Sequence, residues 1–336
     1  MLILVSAAAG LFGSLLAPLF VRPFLTRRNV LDVPNERSSH VAPVLRGGGL
    51  AVIFGIVVAY VVYSIGGAST RVDFAIVATV LAAALVGWIE DDKGLPAQVR
   101  AVLQLTIGVA GAGAVVAILG GGPIVWIVGA VAIAAYINVA NFMDGVNGIS
   151  AMHGIVVGLA YAAGGLTQAL PWLAIGGFVL AAVFSGFLPW NLLGRGLFLG
   201  DVGSYVLGAF VAVLAVGALA SGLPLIFVIA PLSVYLADSG FTLIRRTLRG
   251  EKWYEAHRTH QYQLLTTYGA SHIEVSLFVA FASAAAAAAG LLPFVSPSTA
   301  AWIPWAILLI VLLGYFVVVA VARRRSVSRG LSEVGQ

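Results

Sequence analysis

Cysteine is absent from the 336 residues, which excludes disulfides, thiolate catalysis and zinc-thiolate sites together. Charge is scarce as well. Only 9% of the residues are Asp, Glu, Lys or Arg and 61% are hydrophobic, whereas soluble domains carry roughly 25% charged residues, so an ordinary soluble fold is excluded. The apolar residues come in long runs and do not alternate, which excludes an outer-membrane barrel. No basic segment precedes the first apolar run, and that run reaches about 24 residues, long enough to span a bilayer and unlike a cleavable leader. The net charge of +5 is spread over short loops without a single basic patch or nucleic-acid motif, so no nucleic-acid partner is expected. Glycine is abundant instead, with 40 residues, and small residues let helices approach closely in lipid. The class expected is all-α, a polytopic integral membrane protein.

Eleven spans are expected, over residues 1–24, 50–65, 74–89, 102–119, 124–139, 149–165, 172–188, 205–220, 224–244, 275–292 and 302–321. The arginines of the first loop (Arg27, Arg28, Arg37 and Arg46) place it in the cytoplasm, the N-terminus in the periplasm and the C-terminus in the cytoplasm. In this layout only Arg71 of the eighteen Lys and Arg residues lies outside. Of the thirteen Asp and Glu residues only Asp73 does, with Asp238 counted near the inner end of its span. The rule for basic residues does not require the second bias, which points to a site on the inner face. Residues 1–322 read as a single transmembrane catalytic domain, and residues 323–336 as a basic cytoplasmic tail that starts with Arg323-Arg324-Arg325.

The polar strip Asn138-Val-Ala-Asn141-Phe-Met-Asp144-Gly-Val-Asn147-Gly148 directly follows an apolar run. Residues three apart share a helix face, so four oxygen-bearing side chains gather where a span ends. Capping a helix C-terminus is the simpler use, but it needs one such residue, not four. Asp91-Asp92 is a pair of adjacent carboxylates at another span end, suited to a metal, to proton transfer or only to a solvated loop. Gly200-Asp201-Val-Gly203-Ser204 sets an acid between glycines at a helix start, where phosphate is favoured and where an N-cap would also be at home. His257-Arg258-Thr259-His260-Gln261-Tyr262-Gln263 carries groups for phosphate, metal or proton transfer, or forms a polar interfacial helix. Arg37-Ser38-Ser39-His40 and Arg46-Gly47-Gly48-Gly49 complete the inner face, the triple glycine being a weak phosphate-loop signal. His153 reads as a packing histidine, and Asp238 needs a partner or water because a charge inside a span is costly. Together these residues imply a Mg²⁺-assisted enzyme for a phosphorylated substrate.

In this order the motifs resemble those of the polyprenyl-phosphate N-acetylhexosamine-1-phosphate transferase family, which includes the phospho-MurNAc-pentapeptide translocase and the enzymes that start O-antigen chains. The resemblance rests on Arg37-Ser-Ser-His40 with Arg46-Gly-Gly-Gly49, Asp91-Asp92, the strip from Asn138 to Gly148, Gly200 to Ser204, and His257-Arg-x-His260-x-Tyr-Gln263. It implies transfer of an amino-sugar 1-phosphate from a UDP-sugar to undecaprenyl phosphate at the cytoplasmic face of a bacterial inner membrane, with release of UMP. Asn141 and Asp201 would hold Mg²⁺, with Mn²⁺ able to replace it. Asp91 would be the base for the lipid phosphate, with Asp92 and Asp144 supporting the metal or positioning phosphates. Asn147 would face the uracil, and Asn138 would ligate the metal or brace a ligand. His257, Arg258 and His260 would bind the diphosphate or the sugar, and Arg46 belongs with this substrate-binding set. The last motif departs from the adjacent histidines of the peptidoglycan branch, so a MurNAc-pentapeptide donor is not expected. The partners expected are therefore undecaprenyl phosphate, a UDP-amino-sugar and membrane lipid. A homodimer would bury apolar surface that reads the same as lipid-facing surface. The rival reading, an ion-coupled transporter, would place its polar residues near the midplane between inverted repeats. Here they cluster at span ends on one face.

Overall fold

The computed structural model describes residues 1–32, 44–192, 196–251 and 258–328. Each of the eleven expected spans falls on a helical segment. Among the described residues nine helices are long and apolar enough to cross a membrane, and a bent pair makes up to ten. Those nine are α4 (Arg71–Lys93), α5 (Ala97–Leu119), α6 (Gly122–Phe142), α7 (Ile149–Thr167), α8 (Pro171–Leu192), α9 (Gly200–Ala220), the broken segment Leu225–Leu248, α13 (His272–Val295) and α14 (Trp302–Ser328). The all-α, multi-pass reading holds. Helix α3 (Gly49–Ile65) is apolar but only 17 residues long.

The first expected span is broken. Helices α1 (Leu2–Leu16) and α2 (Pro18–Arg28) meet at a 40° bend, because Pro18 lacks the N–H that would continue the ladder. The ninth is also interrupted: α10 (Leu225–Ile229) passes through a tight turn at Ala230–Leu232, which contains Pro231, into α11 (Ser233–Leu248). Several helices begin earlier than hydropathy places them. Helix α4 starts at Arg71 because Asp73 closes a capping box, its carboxylate accepting from Thr70 N–H and Oγ1, both at 2.7 Å. Helix α9 starts at Gly200, at the glycine motif and ahead of its apolar run, so Asp201 and Ser204 lie in its first turns. A two-residue hairpin, β1 (Leu31–Asp32) with β2 (Val44–Leu45), is an addition that hydropathy does not register.

Helix α9 runs through the middle of the bundle and is buried along nearly its whole length, packed by α3 to α8. Two close approaches set its N-terminus. A Cβ at Gly87 of α4 would stand 2.5 Å from Asp201 O, and one at Gly49 of α3 would overlap the Gly203 backbone. Only glycine lets α3 and α4 come this near. Helix α14 lies at the rim, with Leu309, Ile310, Leu313 and Val317 exposed as a lipid-facing surface requires. A short helix, α12 (Gln261–Thr267), lies at the α6 C-terminus, where Tyr262 Oη donates to Phe142 O at 2.9 Å.

Candidate active site

The close packing at Gly87 brings Asp91, one turn further along α4, to the start of α9. Asp201 N–H donates to Asp91 Oδ1 at 3.0 Å, and Val202 N–H to Asp91 Oδ2 at 2.9 Å. These are two of the amides that a helix N-terminus leaves unsatisfied, so Asp91 caps α9 from another helix and also meets its positive dipole end. Arg46 then joins two carboxylates. Its Nε is 2.6 Å from Asp91 Oδ1, and a terminal nitrogen is 2.6 Å from Asp201 Oδ2. The glycines after Arg46 hold it in place: Gly48 N–H donates to Phe198 O and Gly49 N–H to Leu199 O, both at 2.8 Å. The segment therefore works as a clasp on the chain entering α9, and its functional group is the arginine.

Asn141 reaches the same point from α6, with Nδ2 2.6 Å from Asp201 Oδ1 and 3.1 Å from Ser204 Oγ. Arg46, Asp91, Asn141 and Asp201 thus converge from four separate stretches of chain. Asn138, one turn back, does not join them. It donates to Gln104 Oε1 of α5 at 2.5 Å and to Ala134 O at 2.9 Å, which makes it a brace between α5 and α6. Asp144 follows in the α6–α7 turn, half-buried. Burial pushes its carboxyl up to about 7; the Asp201 charge adds to this and Arg46 opposes it. Asn147 is fixed through its backbone: its N–H faces His272 Nδ1 at 3.3 Å, and its carbonyl accepts from Ser276 Oγ at 2.8 Å. It lines a groove of about 550 Å³ with Leu188, Leu192, His272 and Ile273.

Asp92 points away from this group and is exposed beside Lys93. Arg258 is also exposed, and His257 lies outside the described residues, as do Arg37 and His40. His260 is buried and has a definite partner in Asp238. Asp238 Oδ1 lies 3.0 Å from His260 Nδ1 and accepts Gln261 N–H at 3.0 Å, while Oδ2 accepts Tyr262 N–H at 2.9 Å and Tyr315 Oη at 2.6 Å. The costly charge inside a span is satisfied by α12 and α14, and it fixes α12 at the end of the polar strip. His153 is buried, with Nε2 2.8 Å from Tyr136 Oη and its ring stacked on Tyr235 at 3.6 Å.

The donor set fits a hard divalent cation. Glu90, Asp91, Asp144 and Asp201 face two arginines, Arg46 and Arg100, of which Arg100 pairs with Glu90 at 3.0 Å. Ionised, the four acids outnumber the two bases, and Glu90 Oε2 is buried without a partner. Among the described residues no three acidic or histidine side chains form a closed metal cage. Mg²⁺ seldom uses such a cage, binding through one or two carboxylates together with substrate phosphates and water.

Sequence reasoning missed Gln104, Asn191, His272 and Ser276. Asn191 carries a structural signal only in retrospect: its Oδ1 accepts Gly148 N–H at 2.5 Å and its amide donates to Leu197 O at 3.1 Å, tying the α6–α7 turn to the approach to α9. Its place in Pro189-Trp190-Asn191, just past an apolar run, is the one visible hint.

Residues 73–219 match the family model for glycosyl transferase family 4. The chain is 30% identical over 301 residues to the decaprenyl-phosphate N-acetylglucosaminephosphotransferase of Mycobacterium tuberculosis, covering 77% of this chain and 74% of that protein. The chain belongs to glycosyl transferase family 4. Further relatives are the probable undecaprenyl-phosphate N-acetylglucosaminyl 1-phosphate transferase of Bacillus subtilis, 26% identical with 77% of each chain covered, and the undecaprenyl-phosphate alpha-N-acetylglucosaminyl 1-phosphate transferase of Yersinia pestis, 24% identical with 89% of this chain and 87% of that protein covered. The matched region of this family 4 transferase runs from the start of α4 to the end of α9. It holds every residue of the cluster except Arg46.

Proposed function

We propose that this transferase moves an N-acetylated amino-sugar 1-phosphate from a UDP-sugar to undecaprenyl phosphate, giving an undecaprenyl-pyrophosphoryl sugar and UMP. It would do so at the cytoplasmic face of a bacterial inner membrane, as the first step of O-antigen or another envelope polysaccharide. The observation that carries the reading is Arg46 held between Asp91 and Asp201, with Asn141 on the second carboxylate. A guanidinium clamped between acids beside a helix N-terminus is placed to take phosphate oxygens in exchange.

The acceptor's phosphate oxygen bonds to the sugar-bearing phosphorus, and the bond from that phosphorus to the bridging oxygen breaks, its electron pair leaving with UMP. Mg²⁺ or Mn²⁺, held by Asn141 and Asp201 with Asp144 beside them, would neutralise pyrophosphate charge. The chain's own residues do the rest. Arg46 gives up a carboxylate for a phosphate oxygen, which frees Asp91 Oδ1 to take a proton from the lipid phosphate. Asn147 lies in a groove walled by Leu188, Leu192 and Ile273, where a flat base gains apolar contact on its faces and an amide partner on its edge. His260, expected to bind the diphosphate or the sugar, is buried against Asp238 instead, and its part is to hold the start of α12 beside the polar strip.

The test is to supply membranes containing the protein with Mg²⁺, undecaprenyl phosphate and a panel of UDP-amino-sugars. UMP release with one donor supports the proposal. No UMP with any donor, from protein shown to be folded, overturns it.

A further inference from the structure

A second polar feature lies on the same end of the bundle, away from the carboxylates. A groove of about 720 Å³ runs between α11, α12 and α14. Arg245 lines it from α11, Arg249 from the residue that caps the end of α11, and Arg323 and Arg324 from α14. Basic residues at span ends are ordinary; four around one apolar-walled groove are not. The wall includes Val319 and an aromatic pair, Phe241 and Phe316, with ring centroids 5.1 Å apart. Among the described residues no carboxylate pairs with any of the four arginines.

Two buried donors in the lining are also unmatched. Arg245 gives one terminal nitrogen to Thr259 O at 2.7 Å, yet its Nε is buried without a partner. Gln261, itself buried, has its side-chain Nε2 in the same condition. Buried donors are nearly always satisfied, so two orphans in one groove call for an acceptor supplied from outside the chain. The Asp238 and Glu251 charges act on Arg245, but four arginines leave the groove net positive, and an anionic acceptor matches both that charge and the unpaired donors. The apolar wall beside it fits a hydrocarbon chain.

We propose that this groove binds an anionic phospholipid, its phosphodiester on Arg245, Gln261 and the α14 arginines and an acyl chain along Phe241, Phe316 and Val319. The site is separate from the catalytic cluster, whose acids stand on α4, α9 and the α6–α7 turn. The two share α12, because Gln261 N–H is bonded to Asp238 and Tyr262 Oη to Phe142 O. A headgroup seated on Gln261 therefore braces the helix that carries His260 at its start.

Native mass spectrometry of the purified full chain tests this without reference to catalysis. Dioleoyl phosphatidylglycerol, dioleoyl phosphatidylcholine and inorganic phosphate are offered separately, and thermal unfolding is followed in parallel. Phosphatidylglycerol is expected to stay bound and to raise the unfolding temperature, with phosphatidylcholine and phosphate doing neither. Arg323 and Arg324 are exposed, so the double variant Arg323→Gln/Arg324→Gln keeps the fold. It should bind phosphatidylglycerol about thirtyfold more weakly. Equal retention of the two lipids, the same stabilisation by phosphate alone, or unchanged binding in the double variant would each overturn the assignment.

Discussion

Replacing Asp144 by Asn should stabilise the protein by an amount that grows with pH. Burial raises the Asp144 carboxyl from 3.8 to about 7, so the folded chain holds a proton that the unfolded chain releases. Below the unfolded value the two states carry the same proton and the residue is neutral in the balance. As pH rises towards 7 the folded state is increasingly disfavoured, and above 7 the cost levels off. With about 1.4 kcal/mol for each pH unit between the two values, the cost is about 2 kcal/mol at pH 5 and about 4 kcal/mol at pH 8. Asn keeps the shape and removes the titration. Thermal unfolding in detergent without divalent cations, run from pH 5 to pH 8, should show Asp144→Asn above wild type by a margin that widens up to about pH 7 and then stays constant. UMP release should fall sharply in the same variant, since a carboxylate kept at a cost in stability is one that the site uses. A margin independent of pH would refute the burial argument. A margin that shrinks as pH rises would reverse its sign.

Other consequences can be checked alongside. Arg46→Gln leaves Asp91 and Asp201 facing each other unneutralised. It should lower UMP release by about 100-fold or more and lower stability by about 1–3 kcal/mol, the usual cost of breaking a buried pair reduced because the Arg46 side chain is one-third exposed. Asn141→Ala should cost about 100-fold in activity and Asn138→Ala less than about tenfold, because only Asn141 touches Asp201; equal losses would place both in one role. Asp238→Asn should speed hydrogen exchange at the Gln261 and Tyr262 amides by roughly tenfold or more, and unchanged exchange would remove Asp238 as the anchor of α12.

The membrane architecture was readable because long apolar runs admit few alternatives, and the candidate residues were readable because polar side chains at span ends are rare. The geometry among them was not. Asp91 and Asp92 are adjacent, yet about 100° of helix rotation puts one against α9 and the other in solvent. Asn138 and Asn141 share a face by spacing, but that face meets two neighbours, α5 at one turn and α9 at the next. Asp238 could not be matched with His260 from sequence, because the pairing depends on how α12 packs back between α11 and α14. The helix start at Arg71 was hidden for a local reason: a capping box at Thr70 extends the helix past the apolar run.

The central claim is that the phosphate attached to the sugar goes to the lipid with it. A UDP-amino-sugar labelled with ³²P on the sugar-bearing phosphate, incubated with undecaprenyl phosphate and the protein, should place the label in the lipid phase and leave unlabelled UMP in water. Label that stays in water as UDP while the sugar enters the lipid would show transfer of the sugar alone and contradict the account.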